Sequence, residues 1–469
     1  MPHHRTRLAV LGGLLVLAAC AVGPDYKPPE IAVNDTFARA RAADAAEAFA
    51  GGDVVTEWWR ALDAPVLHEL LGLARDGSLD LRIAEANLRA ARALLGLERK
   101  NRSPTATARA SVDRSESSEA QLPAGIDRRE TLYAAGLDAS WELDLFGRVR
   151  RAVEAGAAEY EAADADRRGV IVAVSAEVCR AYVELAGTRR RIEVARANVA
   201  NQEESLRLVE ALLAAGRGTE LDIERARAQL ESTRALVPLL RIDETRAMQR
   251  LAVLVGKPPA ALDDLLSPVV ELPAVPNRIA IGDPASLLRR RPDVAAAEAR
   301  LAAATARIGV AVADLFPRLS LSGSFGALST SLGDLTDEGA RTTSFGPFLK
   351  WAAFDLGRVR DRIRAEEARA DAALARYERT VLITLEETEN ALVRLDQVRR
   401  RQLHLLRAEA AAAGAAELAR QRYGAGLDSF LAVLDAESRL LAAQDDRARS
   451  GIDTADAFVG LYVALGGGW

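Results

Sequence analysis

Few side chains in this sequence of 469 residues are of the types that perform catalysis or bind metals. There are four histidines, and two of them, His3 and His4, lie in an N-terminal leader that is expected to be removed. The HELLG segment at His68 lacks the second histidine that a zinc-binding helix requires. The Gly-Lys pair at Lys257 is followed by two prolines, so it does not form a phosphate-binding loop. The sequence therefore predicts no catalytic, metal or nucleotide site, and it indicates that the protein is not an enzyme.

The last histidine and one of the two cysteines have structural interpretations. His404 lies on an arginine-rich helix face, which is typical of solvated or interhelical positions. Cys179 lies beside an apolar helical stripe and is expected to be a small packed residue. The net charge is -5 and no basic block is present, which argues against binding of nucleic acid.

The leader is a signal peptide that covers residues 1–19. Two arginines precede an apolar run of 12 residues, from Leu8 to Ala19, and a helix needs about 20 to cross a bilayer. The run ends in Leu-Ala-Ala-Cys20, which resembles the bacterial lipobox, where the cysteine receives a diacylglycerol thioether. The alternative is an ordinary signal peptide with a chance cysteine. We expect lipidation of Cys20 and, because Ala21 follows it, export to the outer membrane.

A second candidate region is the segment from Arg422 to Leu431. Two of its residues, Gly424 and Gly426, suit a tight turn with positive φ. Asp428, Leu431 and Asp435 are spaced three and four apart, which places them on one face of the helix that follows. The residues alone leave a second interpretation open, a solvated face beside a capped helix start, where acids also suit the helix dipole.

The elements that carry this region belong to a tandem duplication. Trp141-Glu-Leu-Asp-Leu-Phe-Gly-Arg is echoed 210 residues later from Trp351, and Asp80 is matched by Asp293 at an offset of 213. Each copy reads as helix, strand, loop, strand, very long helix, tip and helix. The segments are a signal peptide at 1–19, an N-terminal segment at 20–60, a first repeat at 61–255, a linker at 256–290, a second repeat at 291–465 and a tail at 466–469.

Within each repeat the patterns predict a hairpin, a long helix and a returning helix. Apolar residues recur every seven positions from Ile171 to Leu213, which is coiled-coil spacing, and Pro238 predicts a kink in the returning helix. The predicted elements are a hairpin at 104–145, a long helix at 148–213, a helix at 220–255, a hairpin at 317–352, a long helix at 357–423 and a helix at 428–465.

The two hairpins predict one sheet of four strands with an apolar face. Four strands cannot close a membrane barrel, because the smallest ones need about eight. The sheet edges must therefore pair with other chains, and three copies would supply twelve strands.

These features resemble a known family, the outer-membrane factors of tripartite efflux systems of the TolC and OprM type, and within it the NodT-like lipoproteins. The resemblance covers nearly the whole mature chain. It departs at the first tip, where the usual aromatic motif is replaced by Leu213-Ala-Ala-Gly216-Arg-Gly218. The motifs that carry it are Cys20 to Pro29, Trp58-Trp59, Trp141 to Arg148, Pro238 to Pro259, Arg289 to Asp293 and Ala464 to Trp469.

The resemblance implies a mostly α-helical fold with a β-barrel part. Three tandem-duplicated protomers would form a 12-strand outer-membrane β-barrel, which continues into a periplasmic α-helical barrel about 100 Å long. Residues 20–60 and 256–290 would belong to an equatorial belt. The implied partners are two further copies, a periplasmic adaptor (membrane fusion) protein, an inner-membrane transporter of the RND type and outer-membrane lipid. The implied covalent lipid on Cys20 is the only added group, with no cofactor.

The family resemblance also assigns roles at the tips. Leu431, Asp435 and Asp428 would narrow the periplasmic end of the duct, while Arg422 and Tyr423 would belong to a restraining polar network. In a trimer each position becomes a ring of three; an acidic ring favours cations and could bind a divalent ion, and a leucine ring resists wetting. The implied adaptor-contact positions are Gly216, Gly218, Gly424 and Gly426.

The leading hypothesis is a passive exit duct, gated by iris-like movement of helix pairs, that conducts drugs or other small solutes to the exterior. A secreted coiled-coil scaffold or adhesin stalk would explain the helices equally well. That alternative leaves the apolar faces of the hairpins without a membrane to enter. A third class, a hydrolase of the cell envelope, lacks catalytic residues.

Overall fold

The computed structural model describes residues 21–41, 49–50, 52, 54–118, 120, 127–268 and 271–468. The helices are α1 (Pro65–Gly77), α2 (Leu79–Lys100), α3 (Arg148–Ala214), α4 (Glu220–Arg234), α5 (Leu236–Leu254), α6 (Asp263–Leu266), α7 (Pro284–Arg290), α8 (Pro292–Ala313), α9 (Leu356–Gly424) and α10 (Phe430–Ala464). The strands are β1 (Phe49–Ala50), β2 (Thr105–Glu116), β3 (Arg129–Leu143), β4 (Ile279–Ala280), β5 (Arg318–Ser329) and β6 (Arg341–Lys350). Among the described helices, none combines the length and the apolar character that a membrane crossing requires.

The described residues form two compact units. The first unit contains the four-stranded sheet, and the second contains the tips and the N-terminal and linker segments. The first unit draws on residues up to Glu30, Asn87–Asp164 and Ala296–Glu378, and the second on Ile31–Ala86, Ala165–Ala295 and the residues from Arg379 onward.

The two halves of the chain repeat one order of elements. Both β5 and α8 begin and end 213 residues after β2 and α2, and α9 ends 210 residues after α3. The long helices have 67 and 69 residues, as the unbroken stretches without proline predict. The tandem duplication predicted from the sequence is confirmed.

The returning helix differs between the repeats. In the first, α4 ends at Arg234 and α5 begins at Leu236, so the predicted helix of residues 220–255 is two helices. The cause is Pro238, which has no N–H to donate to the carbonyl of Arg234, four residues earlier. The matching position of the second repeat is Ala448, and there α10 is continuous for 35 residues.

The four-stranded sheet of the first unit has the order β2-β3-β5-β6, and all its pairs are antiparallel. Residues directly opposite each other share a face, and the registers Leu137–Phe325 and Gly323–Phe345 place the large apolar residues on one of them. The other face is polar and includes Asp138 opposite Ser324. Apolar side chains on the first face that stay more than half exposed are Val112, Leu137, Phe325, Phe345 and Leu349.

The sheet confirms the prediction of two hairpins with an apolar face. Its strands extend further into the polar loops than predicted, because the alternation of the two faces continues to Glu116 on β2 and to Ser329 on β5. The strands β2 and β6 are edge strands in the single chain.

The repeated Trp141 motif forms the junction between β3 and α3. The side chain of Asp144 accepts hydrogen bonds from the N–H groups of Val149 and Arg150, both at 2.9 Å, and so caps the first turn of α3. Two hydrogen bonds, of 2.7 and 2.6 Å, join Arg148 to Glu142. Each charged residue of the motif therefore holds the entry to the long helix.

The second unit contains the largest buried apolar cluster. The ring of Trp58, which is 1% exposed, stacks on Tyr462 with centroids 5.3 Å apart and meets Phe458 edge-on at 5.9 Å. The short strands β1 and β4 pair in parallel between Phe49 and Ile279. The N-terminal segment, the 256–290 linker and the C-terminal end of α10 thus pack together in this unit.

Candidate functional site

The two helical tips share one backbone geometry. At the first, the N–H of Arg217 donates to the carbonyl of Leu212 at 2.7 Å, and at the second the N–H of Leu427 donates to Arg422 at 2.9 Å. The residue before each donor is a glycine with positive φ, Gly216 at 74° and Gly426 at 75°. This is the hydrogen-bond pattern of a Schellman cap, in which a left-handed residue ends the helix.

The other two tip glycines play different roles. At Gly218, φ is 124°, and the next residue begins the capping box of α4, so this glycine shapes the exit from the first turn. The prediction of a positive φ at Gly424 was wrong, because this residue is the last of α9 and remains helical. One glycine, Gly426, is therefore sufficient for the second turn.

An ion pair spans the second turn. The Arg422 guanidinium lies 3.2 Å from the Asp428 carboxylate, which also accepts a hydrogen bond from the Ser429 N–H at 2.9 Å. These two contacts, the backbone hydrogen bond first, lower the pKa of Asp428. The helix begins at Phe430, so the predicted helix start at residue 428 was wrong and Asp428 lies in the turn, where its side chain occupies the backbone N–H of the N-cap residue.

The ring of Tyr423 packs in the interior of the second tip. It is 8% exposed and lies 5.3 Å from the ring of Phe430. Burial, followed by the charge of Asp222, raises the pKa of Tyr423. Among the described residues the Tyr423 hydroxyl has no hydrogen-bond partner, so within one chain this residue contributes packing rather than a polar restraint. The apolar cluster at this tip consists of Val209, Ala226, Tyr423, Phe430 and Val433.

The predicted constriction residues lie on the surface of α10. Leu431 is 56% exposed, and Asp435 follows one turn later on the same face. The Asp435 carboxylate lies 3.0 Å from Arg439, four residues further along the helix. The single chain thus presents an exposed leucine and an exposed carboxylate on one face, with the cation beside them.

A buried polar contact that was not predicted lies just above these residues. Glu437 is 3% exposed, accepts a hydrogen bond from the Ser205 hydroxyl at 2.6 Å and lies 2.9 Å from Arg420. It therefore connects α10 both to α3 and to α9. The sequence signal was an acidic residue within the apolar stripe formed by Val433 and Leu440, where a buried charge requires partners.

Further polar contacts join α3 to α10 along the same seam. Asn198 donates to Gln444 at 2.6 Å, and Arg191 pairs with Asp445 at 2.6 Å. Residue numbers rise on one helix as they fall on the other, so the two helices are antiparallel. The seam lies between the tip hairpin of the first repeat and that of the second.

The remaining candidates do not form a reactive site. Cys20 lies outside the described residues. Cys179 is fully buried, and burial raises the pKa of its thiol. In the described part of the chain no group of three or more histidine, cysteine or acidic residues could hold a metal ion.

Comparison with known proteins identifies relatives along the whole chain. The family model described as Outer membrane efflux protein matches residues 70–257 and 284–467. Outer membrane protein OprJ of Pseudomonas aeruginosa is 36% identical over 460 residues, which cover 97% of this chain and 94% of that protein.

Solved structures agree with this sequence match. The outer-membrane channel OprN superimposes with a TM-score of 0.87 and 43% identity over 96% of this chain and 100% of that one. The open state of the MtrE outer membrane channel of Neisseria gonorrhoeae gives a TM-score of 0.80 and 28% identity, covering 96% and 98% of the two chains.

Proposed function

Because the chain belongs to the outer membrane efflux protein family, we propose that three copies form the passive exit duct of a tripartite efflux pump in the outer membrane. The duct receives drugs or other small solutes from an inner-membrane transporter of the RND type through a periplasmic adaptor. It performs no chemistry on them. The residue types present agree with this, since the candidate catalytic positions have structural roles.

The observation that carries the proposal is the open, two-faced sheet. Its apolar face exposes residues such as Leu137 and Phe325, which suit lipid, and its other face is lined by polar residues such as Asp138 and Ser324, which suit water. Two edge strands per chain leave backbone groups that lipid cannot satisfy. Closure with two further copies satisfies them and places the polar face around an aqueous lumen. The coiled-coil scaffold hypothesis gives the apolar face no partner.

We propose the second tip as the periplasmic gate. In a trimer Leu431 and Asp435 form two rings on the α10 helices, and the Arg422–Asp428 pair holds the turn that carries them. Opening requires the α9–α10 hairpin to move away from the α3–α4 hairpin, and an adaptor drives this by binding the open form more tightly. The solved relative MtrE is described in an open state, which supports a gate that moves.

The tips and the N-terminus carry the remaining attachments in this proposal. The four tip glycines, at 216, 218, 424 and 426, keep the turns narrow enough for an adaptor to close around them. Cys20 carries a lipid that anchors the chain beside the barrel. One acyl anchor binds membranes only weakly, so the barrel is the main attachment.

Planar-bilayer recording of the purified protein, combined with its native mass in detergent, tests the proposal. We expect a mass of three chains and current in discrete steps. A protein that is monomeric in detergent and gives no steps with any adaptor or divalent-ion condition would contradict the duct and favour the scaffold.

A further inference from the structure

The edge strands of the single sheet allow the contact between copies to be derived residue by residue. This inference rests on the proposed assembly of several copies and adds the register of their contact. In the sheet order β2-β3-β5-β6, the middle pair β3–β5 joins the first repeat to the second. The two edges, β2 and β6, are the repeat counterparts of β5 and β3.

The counterpart relation holds at the level of hydrogen bonds. The indole N–H of Trp141 donates to the carbonyl of Arg102 at 2.9 Å, and the indole N–H of Trp351 donates to Leu315 at 3.0 Å. These donors are 210 residues apart and their acceptors 213, the same offsets that relate β3 to β6 and β2 to β5. The two repeats therefore present matching surfaces, and what one repeat binds within the chain the other offers to a neighbour.

We infer that β6 of one copy pairs with β2 of the next in the register that β3 and β5 use within the chain. Within the chain Asp138 lies opposite Ser324. The repeat offsets convert this pair into Phe348 opposite Ser111 of the partner subunit. By the same step, the Ala134–Leu328 pair becomes Ser344 opposite Ser115 of the partner subunit. The occupant of both edges is therefore a second copy of this chain.

The helices beside the sheet lead to the same contact. In α8, Ala303 and Ala306 are fully buried, and a β-carbon built at Gly309 would lie 2.8 Å from the side chain of Arg151 on α3. The repeat counterparts on α2 are Ala90, Ala93 and Gly96. Both alanines are exposed, and a β-carbon at Gly96 would meet no described atom within 4 Å outside its own helix.

This asymmetry has one economical explanation. The face of α8 is covered by α3 of its own chain, whereas the matching face of α2 is left open for the counterpart of α3, which is α9. Since that position on α2 has no α9 of its own chain beside Gly96, the α9 of the neighbouring copy covers it, near Asp361 of the partner subunit. The strand register and the helix contact are then parts of one repeated interface.

Disulfide crosslinking of the full-length protein tests the register. Residues directly opposite in a sheet have Cα atoms about 4.5 to 5.5 Å apart, within disulfide range, whereas diagonal neighbours are about 7 to 8 Å apart. In a Cys179→Ala background, Phe348→Cys with Ser111→Cys should form bonds between chains. Phe348→Cys with Asp113→Cys shifts the pair by two residues on the same face and should give a several-fold lower yield. Asp138→Cys with Ser324→Cys, opposite each other within the chain, is the positive control.

Three outcomes overturn the inferred register: a higher yield from the shifted pair, equal yields from both pairs, or no bond between chains from either pair while the control pair forms and the native mass remains that of three chains. A native mass of one chain would overturn the proposed assembly as well, which separates the two failures. The helix contact has its own readout, the trimer fraction. Gly96→Leu should lower that fraction several-fold. Gly339→Leu, at a site with equally open surroundings, should leave it unchanged, and equal trimer fractions for both variants would contradict the helix contact.

Discussion

The guanidinium of Arg422 lies 3.2 Å from the carboxylate of Asp428 and spans the turn between α9 and α10. This pair connects the end of one helix to the residue that precedes the N-cap of the next. The turn that carries the candidate gate is therefore held by an ion pair on its surface and by the Tyr423–Phe430 contact inside it.

The first prediction concerns the pH dependence of this turn. The pKa of Asp428 is lowered by the Ser429 N–H and by Arg422. A carboxylate with a lowered folded-state pKa stabilises the fold above its unfolded pKa of about 3.9 and loses that contribution as the pH falls through the folded value. We expect the turn to be unchanged from pH 7 to pH 5 and to loosen only below about pH 4.

The measurement is the mobility of a spin label at Leu427, which is 68% exposed. The control is Asp428→Asn, which should give a mobile label at pH 7 and no further acid transition in this range. A wild-type label that becomes mobile between pH 7 and pH 5 would contradict the role of Asp428.

The second prediction distinguishes the two glycines of this tip. Gly426 has φ of 75°, and a left-handed conformation costs a residue with a β-carbon about 1 to 2 kcal/mol. Gly424 is helical and has open surroundings, so an alanine there should be neutral or stabilising by up to about 1 kcal/mol. We expect Gly426→Ala to speed amide hydrogen exchange across residues 422–430 and Gly424→Ala to leave it unchanged or slower. Equal effects of the two variants would show that φ does not control this turn.

The sequence alone predicts most of the architecture. Offsets of 210 and 213 residues, the seven-residue spacing from Ile171 and the alternation within the hairpins indicate the duplication, the long helices and the sheet. They succeed because apolar periodicity reports directly on which face of an element is covered. The effect of Pro238 was also expected, although the helix breaks three residues earlier, where the carbonyl of Arg234 loses its donor.

The site was less predictable from the same patterns. Helical spacing placed Asp428 on a helix face, but its short side chain bonds to the Ser429 N–H and keeps it in the turn. Spacing also could not reveal that Glu437 reaches both Ser205 and Arg420, because these partners come from helices far apart in sequence. Long-range polar contacts of this kind depend on the register of packed helices.

The third prediction concerns Glu437. Ser205→Ala removes the hydroxyl that donates to this buried carboxylate at 2.6 Å, and a buried acceptor left without its donor costs about 1 to 3 kcal/mol. We expect a lower midpoint for heat-induced loss of helical circular dichroism in detergent. The matched control is Glu417→Gln, an exposed partner of Arg420 at 3.4 Å, which should change stability by less than about 0.5 kcal/mol. A Ser205→Ala variant as stable as this control would contradict a structural role for the contact.

The fourth prediction is that Cys20 is the acylated first residue of the mature protein. Mass spectrometry of the N-terminal peptide should show a diacylglycerol-modified cysteine and no residues from 1–19. The Cys20→Ser variant should retain part of the efflux activity, because the barrel inserts independently of a single lipid. An unmodified N-terminus at or near residue 20 would rule out lipidation.

The fifth prediction addresses the gate, and with it the proposal that this chain is a gated duct. Leu431 and Asp435 share a face of α10, so Leu431→Ala with Asp435→Ala should remove both rings without disturbing the buried contacts of the helix. We expect wild-type trimer assembly, together with greater sensitivity of cells to large antibiotics. The control is Arg439→Ala, which removes the cation beside Asp435 and leaves both rings in place.

Single-channel recording of the wild type and the double variant, with and without divalent cations, is the most direct measurement. The account predicts a low resting conductance for the wild type, a higher one for Leu431→Ala with Asp435→Ala, and weaker block of the variant by divalent cations. A double variant with the conductance and divalent block of the wild type would place the constriction elsewhere, and the absence of discrete channels in both proteins would contradict the duct itself.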